Sequence, residues 1–336
     1  MESTQYRHSN PQGAHPVSPA SNCRFIINET KTPPPPNQLV IIITSQNFFS
    51  RRIWDCWKWN GRGRMEGVDR HGSIRIAVLC MLVGLALALG LLFASPAEVD
   101  WGRDGAGLLG GTLALAGGTL LTRSVMGGFR GAFRFMAGTV VLSWLAEEIG
   151  MKGGWLFGGG YHYAPELWPR LPGGVPLMIP LAWFVLAGLP VLMLGGRKES
   201  WISKAAWSAL GMVACDLALD PVAVSLGLWV WDPPGAYFGV PPGNFAGWWV
   251  VSFVIFGMGY GWAGLGRAES SRIPLGYELS WGVLHAGLVV LMGAGVFHRI
   301  GSGGPLWMAM AAMTPLSVPW LNRLHGRVRL RRRLLR

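Results

Sequence analysis

The amino-acid sequence predicts an all-α polytopic membrane protein of about eight transmembrane helices with an internal parallel repeat. Three observations carry that expectation. Hydrophobic residues make up 51% of the 336-residue chain and charged residues only 14%, where a soluble domain carries about 25% charged residues. The chain holds 49 Gly and 18 Trp, and Gly in the helices and Trp at the interfaces are both enriched in membrane proteins. Apolar runs of about 20 residues, enough to cross a bilayer, recur along most of the chain.

Residues 1–64 read differently. They hold a proline run from Pro33 to Pro36 and a short apolar run, Leu39 to Thr44. That run is too short to span a bilayer and lacks the flanks of a signal peptide. This segment is expected to be disordered or an over-extended start, with Met65 as the first residue; the alternative is a genuine flexible tail. Spans are expected near residues 74–94, 105–122, 132–150, 175–195, 204–227, 245–265, 277–297 and 304–321. A multi-pass membrane catalytic domain then covers 65–322, and 323–336 form a basic cytoplasmic tail.

Basic residues alternate between the connections. Arg51, Arg52, Lys58, Arg62, Arg64, Arg70 and Arg75 precede the first span, and Arg197, Lys198 and Lys204 follow the fourth, while the connection 228–244 has none. By the positive-inside rule both termini are cytoplasmic, and the functional groups sit toward the other side of the inner membrane. The net charge of +12 therefore reads as topology signal and lipid contact, with membrane lipid and not nucleic acid as the partner. Of the four cysteines, Cys23, Cys56, Cys80 and Cys215, no two form a CxxC pair, so neither a disulfide framework nor a zinc site is indicated. Nothing in the sequence speaks to oligomeric state.

Two outer loops resemble each other. In the first, Glu147 and Glu148 precede Trp155, Tyr161-His162-Tyr163, Gly174-Val175-Pro176 and Trp183. In the second, Asp216 and Asp220-Pro221 precede Trp229, Trp231, Tyr237, Gly239-Val240-Pro241 and Trp248. In both, Trp follows Pro by seven residues. Spans three–four and five–six then repeat about an axis along the membrane normal. The alternative is a chance likeness of interfacial loops, where Trp and Tyr crowd in any case.

Ionisable groups in a membrane cost about 2.5–3.5 kcal/mol each on insertion scales, which makes them candidates for function. Glu147 and Glu148 are adjacent, about 100° apart on a helix, so one faces inward and one outward; the sequence leaves open which. Asp216 and Asp220 share a helix face. They act either as a proton-sharing pair or as structural groups, Asp220 bending the helix at Pro221 and Asp216 bonding a neighbouring helix. Candidate substrate contacts are Trp229, Trp231, Tyr237, Asn244, Trp248, Tyr161, His162 and His285, although His162 reads equally as an interfacial residue and His285 as a structural one. The aromatic rim suits a long apolar unsaturated ligand. P-loop, Rossmann and HExxH motifs are absent, and the chemistry needs only carboxylates and water, with no cofactor and no metal.

The set Glu147-Glu148-x-Gly150, Gly158 to Tyr163, Asp216-x3-Asp220-Pro221, Gly227-x-Trp229-x-Trp231, Tyr237-x-Gly239-Val240-Pro241 and Asn244-Phe245-x-Gly247-Trp248 resembles the membrane carotenoid hydratases. The resemblance covers roughly residues 75–325 and is most specific from Asp216 to Trp248. It implies a hydro-lyase of carotenoid biosynthesis that adds water to the terminal double bond of a linear carotenoid end group, giving a tertiary alcohol. The residue roles come from physical reasoning: Asp220 or Asp216 as acid, Glu148 or Glu147 as the carboxylate that takes a proton from water. A membrane transporter and a non-catalytic carotenoid- or lipid-binding protein are the alternatives.

Overall fold

The computed structural model describes residues 58–59, 65–66, 70–93, 101–194, 197–265, 275, 278 and 293–334. The expectation for residues 1–64 falls almost entirely outside the described residues; within it, β1 (Lys58–Trp59) pairs antiparallel with β2 (Met65–Glu66). The chain then runs through helices α1 (Arg70–Phe93), α2 (Trp101–Gly127) and α3 (Phe129–Gly153), strand β3 (Gly160–Tyr163), helices α4 (Met178–Leu194) and α5 (Trp201–Ser225), strand β4 (Trp229–Asp232) and helix α6 (Pro242–Met258). A π-turn, Gly259–Ala263, extends α6, residues 293–300 are helical, and α7 (Gly304–Leu334) ends the described chain. These helices fall on expected apolar runs, while the expected span 277–297 lies mostly outside the described residues. Two of them, Trp201–Ser225 and Pro242–Ala263, are long and apolar enough to cross a membrane.

Local chemistry sets the helix ends. The Ser200 hydroxyl accepts from the Ser203 amide and caps α5 at its start. At its other end the Leu228 amide reaches the Ala223 carbonyl and the Gly227 amide the Val224 carbonyl, with Gly227 at φ 70°. That paired closure needs the left-handed residue Gly supplies. Pro242 opens α6 at the first turn, where its missing N–H costs nothing. Helix α7 does not stop near 321 but carries the basic segment on to Leu334. Arg and Leu dominate that segment, both good helix formers, and Arg323 anchors it by donating to the Met193 carbonyl at 2.6 Å. Arg327 pairs with Glu278, which is buried.

Helix α5 packs on α4, α6 and α7, and α3 packs on α4 and α6. The main core gathers Phe135, Phe157, Trp183, Phe184, Ile255 and Phe256 among α3, α4, α6 and the loop after α3. A second cluster joins Leu192, Met193, Cys215, Leu316 and Trp320 between α4, α5 and α7. Across the ends of α3 and α5 lies an antiparallel ribbon, with Tyr161 opposite Trp231 and Tyr163 opposite Trp229. Its two-residue period turns Tyr161, Tyr163 and Trp231 inward and leaves His162 and Val230 exposed.

The two Gly-Val-Pro segments share two local features. Gly174 and Gly239 both stand at φ 88°, and Val175 and Val240 are both wholly buried. Each leads into a helix whose Trp, 183 or 248, stacks on the other at 3.9 Å and 14°.

Pro221 lies inside α5 and offers no N–H to the Leu217 carbonyl one turn back. The Tyr237 hydroxyl supplies the missing donor at 3.0 Å. Burial and then the charge of Asp216 push that phenol up to about 12, so it stays protonated and able to donate. Tyr237→Phe is expected to lower stability by about 1–3 kcal/mol, read in thermal unfolding of the purified protein, because a buried carbonyl loses its partner. Gly247→Ala is expected to cost a similar amount, about 1–3 kcal/mol from overpacking, since its new Cβ would fall 2.1 Å from the Leu156 carbonyl oxygen.

A carboxyl-lined aromatic cavity

Glu147 sits one and a half turns before the end of α3, on the face turned to α4 and α6, and is 5% exposed. A carboxylate in such surroundings requires donors. Three converge on it. Tyr163 donates to Oε2 at 2.8 Å, Tyr161 donates to the same oxygen, and the Trp183 indole donates to Oε1 at 2.9 Å. Burial and then the charge of Glu147 push both phenols above their ordinary range, so they remain protonated and serve as donors. The ribbon therefore delivers two hydroxyls to Glu147 because residues two apart on a strand share a face.

The neighbouring Glu148 turns outward and pairs with Lys152 at 2.5 Å. One residue of helical rotation separates a buried acceptor from a surface ion pair. Arg170 holds the loop that follows by donating to the Ala164, Tyr163 and Gly174 carbonyls.

On α5, Asp216 and Asp220 are 0% and 2% exposed. The Asn244 amide, at the start of α6, donates to Asp216 Oδ2 at 2.8 Å and to Asp220 Oδ2 at 2.7 Å. The two carboxyl groups, one turn apart on α5, thus share a single donor, the Asn244 amide. Asp216 Oδ1 has no N–H or O–H partner.

Glu147 and Asp220 face a common cavity of about 40 Å³, room for roughly three waters. Its walls are Phe157, Tyr161, Tyr163, Trp183, Trp229, Trp231 and Trp248, with Ile179, Ala182, Leu186 and Leu219 on the apolar side and Asn244 beside Asp220. The Trp231 indole N–H, buried in this wall, has no hydrogen-bond partner. Glu147 with its three donors and Asp220 with its Asn244 amide thus share one cavity walled by aromatic rings, an arrangement suited to moving a proton and stabilising positive charge on carbon.

Of the residues singled out in the sequence, Glu147, Asp220, Tyr161, Trp229, Trp231, Asn244 and Trp248 line the cavity. Asp216 does not line the cavity and is linked to Asp220 through the Asn244 amide. Tyr237 serves the Leu217 carbonyl and Glu148 the surface, while His162 is exposed on the outer face of the ribbon. His285 lies outside the described residues. Tyr163 and Trp183 were not among the candidates. Strand alternation from Tyr161 points to the first, and the shared Gly-Val-Pro spacing to the second.

The sequence model of a family described as carotenoid biosynthesis protein matches residues 107–310, which contain every cavity residue. The chain is also similar to bisanhydrobacterioruberin hydratase of Haloarcula japonica, 32% identical over 171 residues, covering 45% of this chain and 57% of that relative. The chain thus matches little more than half the length of this relative. No solved structure matches. With more than half of its residues inside the family match, the chain belongs to the carotenoid biosynthesis protein family.

Proposed function

We propose that this protein is a membrane hydratase that adds water across the terminal double bond of a linear carotenoid end group. The observation that carries the reading is the opposition of Glu147 to Asp220 in one aromatic cavity. The family supplies the substrate class, and the hydratase named among its relatives supplies the reaction.

Hydration of an isolated trisubstituted alkene begins with protonation of its less substituted carbon. Asp220 gives that proton; a C–H bond forms, the O–H bond breaks, and a tertiary carbocation remains. Trp229, Trp231, Trp183 and Trp248 line the cavity around the charge, and cation–π attraction to an aromatic face is worth about 2 kcal/mol in a desolvated site. Water attacks the cation and Glu147 accepts the proton it sheds, forming a tertiary alcohol. One water has been added. Return of the proton from Glu147 to Asp220 through cavity water restores the enzyme. Asn244 and Asp216 hold Asp220 in place and keep a proton at hand.

The same reading places the chain in the membrane with eight spans and both termini cytoplasmic. The two loops become a repeat, supported by the matching Gly174 and Gly239 conformations and by the Trp183–Trp248 stack. The cavity then lies near the non-cytoplasmic ends of the helices, and membrane lipid surrounds them.

Expression in a host that accumulates lycopene is expected to yield pigments heavier by one or two waters, read by chromatography with mass detection; unchanged pigment here and with elongated or cyclised carotenoids would remove the hydratase reading in favour of a transporter or binder. Asp220→Asn and Glu147→Gln are each expected to lower the rate about 10²–10⁴-fold, whereas Glu148→Gln leaves it near wild type. For topology, a cysteine at Trp168 is expected to react with an impermeant maleimide applied from outside intact spheroplasts, and a cysteine at Lys198 only after lysis; the reverse pattern overturns the orientation.

A further inference from the structure

A carotenoid chain does not fit inside the cavity. Pockets that bury a drug-sized ligand measure about 300–1,000 Å³, and this one measures about 40 Å³. The end group alone can reach the carboxyl groups, so the polyene must leave through a wall. Most walls are closed. Glu147, Phe157, Tyr161, Tyr163, Trp231, Asn244 and Trp248 are all buried. The lining residues with partial exposure are Ala182 and Leu186 on α4, Leu219 on α5, and Trp229. Trp229 belongs to the ribbon, at the loop end of the site.

Helix α4 makes the opening definite. Among its residues, Met178 to Leu194, all are buried except Leu181, Ala182, Val185 and Leu186. These four recur at helical spacing and form one apolar stripe. Two of them, Ala182 and Leu186, touch both the cavity and the surface. Below the stripe, Leu189 and Leu192 to Leu194 are sealed by α5 and α7. Leu219 of α5, one residue before Asp220, lines the same cavity and is likewise partly exposed. The stripe lies about 4–12 Å along α4 from its first residue, at 1.5 Å per residue.

We propose that the gap between α4 and α5, bounded by Ala182, Leu186 and Leu219, is the lateral portal through which the substrate's polyene chain lies in the lipid while its end group meets Asp220. This rests on the hydratase reading. A soluble enzyme would expose such a window to water; a membrane enzyme opens it to hydrocarbon, where an apolar rim is favoured and no charge is needed. The portal also makes Ala182 a specificity residue. It is the smallest side chain on the rim, and it limits the bulk a substrate can carry just behind its reacting end.

The test compares a long with a short substrate bearing the same isopropylidene end. Purified protein in lipid vesicles is given lycopene or geranylacetone, and hydrated products are quantified for wild type, Ala182→Trp, Leu219→Trp and Val250→Trp. Val250, 50% exposed on α6, is the control for added surface bulk. The expected result is a fall of at least tenfold in the lycopene-to-geranylacetone rate ratio for the two rim variants and an unchanged ratio for Val250→Trp. Equal loss on both substrates, an unchanged ratio in the rim variants, or the same fall in Val250→Trp overturns the portal while leaving the hydratase intact. Wild-type protein that hydrates neither substrate removes the hydratase reading, and the portal falls with it.

Discussion

The burial of three carboxyl groups among apolar helices is the constraint around which the rest of the structure is arranged. A buried carboxylate without donors is costly enough to disrupt a fold. Here each group is answered by a donor from a distant part of the chain. Glu147 takes two tyrosine hydroxyls and one indole N–H, and Asp216 and Asp220 share the amide of Asn244. These bonds tie α3 to β3 and α4, and α5 to α6. Satisfying the acids and assembling the helices around them are therefore the same event.

The aromatic ribbon follows from that need. The two tyrosines reach one carboxylate from alternate positions on an extended strand, and a lone strand is not stable. Pairing β3 with β4 sets Tyr161 against Trp231, with ring centroids 5.4 Å apart, and Tyr163 against Trp229 at 5.9 Å. The ribbon thus closes the cavity with the rings that would face a carbocation. The helix beneath it carries an analogous compromise at Pro221, whose freed carbonyl is answered by Tyr237 from the following loop. A loop that would otherwise only connect α5 to α6 becomes part of the support for the acid pair.

Membership of the carotenoid biosynthesis family gives this arrangement a chemical setting. Alkene hydration needs a strong acid, a base for water and a surface that tolerates positive charge, and it needs them away from bulk solvent. The core of α3 to α6 sets two carboxyls, those of Glu147 and Asp220, and aromatic rings together in one buried cavity, the groups that the proposed reaction uses. The division of labour is spatial: the carboxyls and Asn244 come from α3, α5 and α6, the tyrosine donors from the ribbon, and the aliphatic wall from α4 and Leu219 of α5.

Much of the fold was legible in the sequence. Apolar runs of helix length located α1 to α6 to within a few residues, because such runs have few other ways to satisfy their backbone while burying their side chains. The ends of α5 and the aromatic, Gly-rich loops were likewise visible in local residue chemistry. That the last helix runs on through the basic segment to Leu334 was not read from the sequence. Membership of the site was legible only in part. That Glu147 turns inward and Glu148 outward, that Tyr163 joins the site while His162 leaves it, and that Asp220 but not Asp216 lines the cavity depend on rotation by a single residue and on partners 14 to 36 residues away. The sequence by itself determined which elements form and which residues carry charge, since those are properties of short segments. Only the tertiary structure decided which of them meet, because a side chain's surroundings are set by elements remote in the chain.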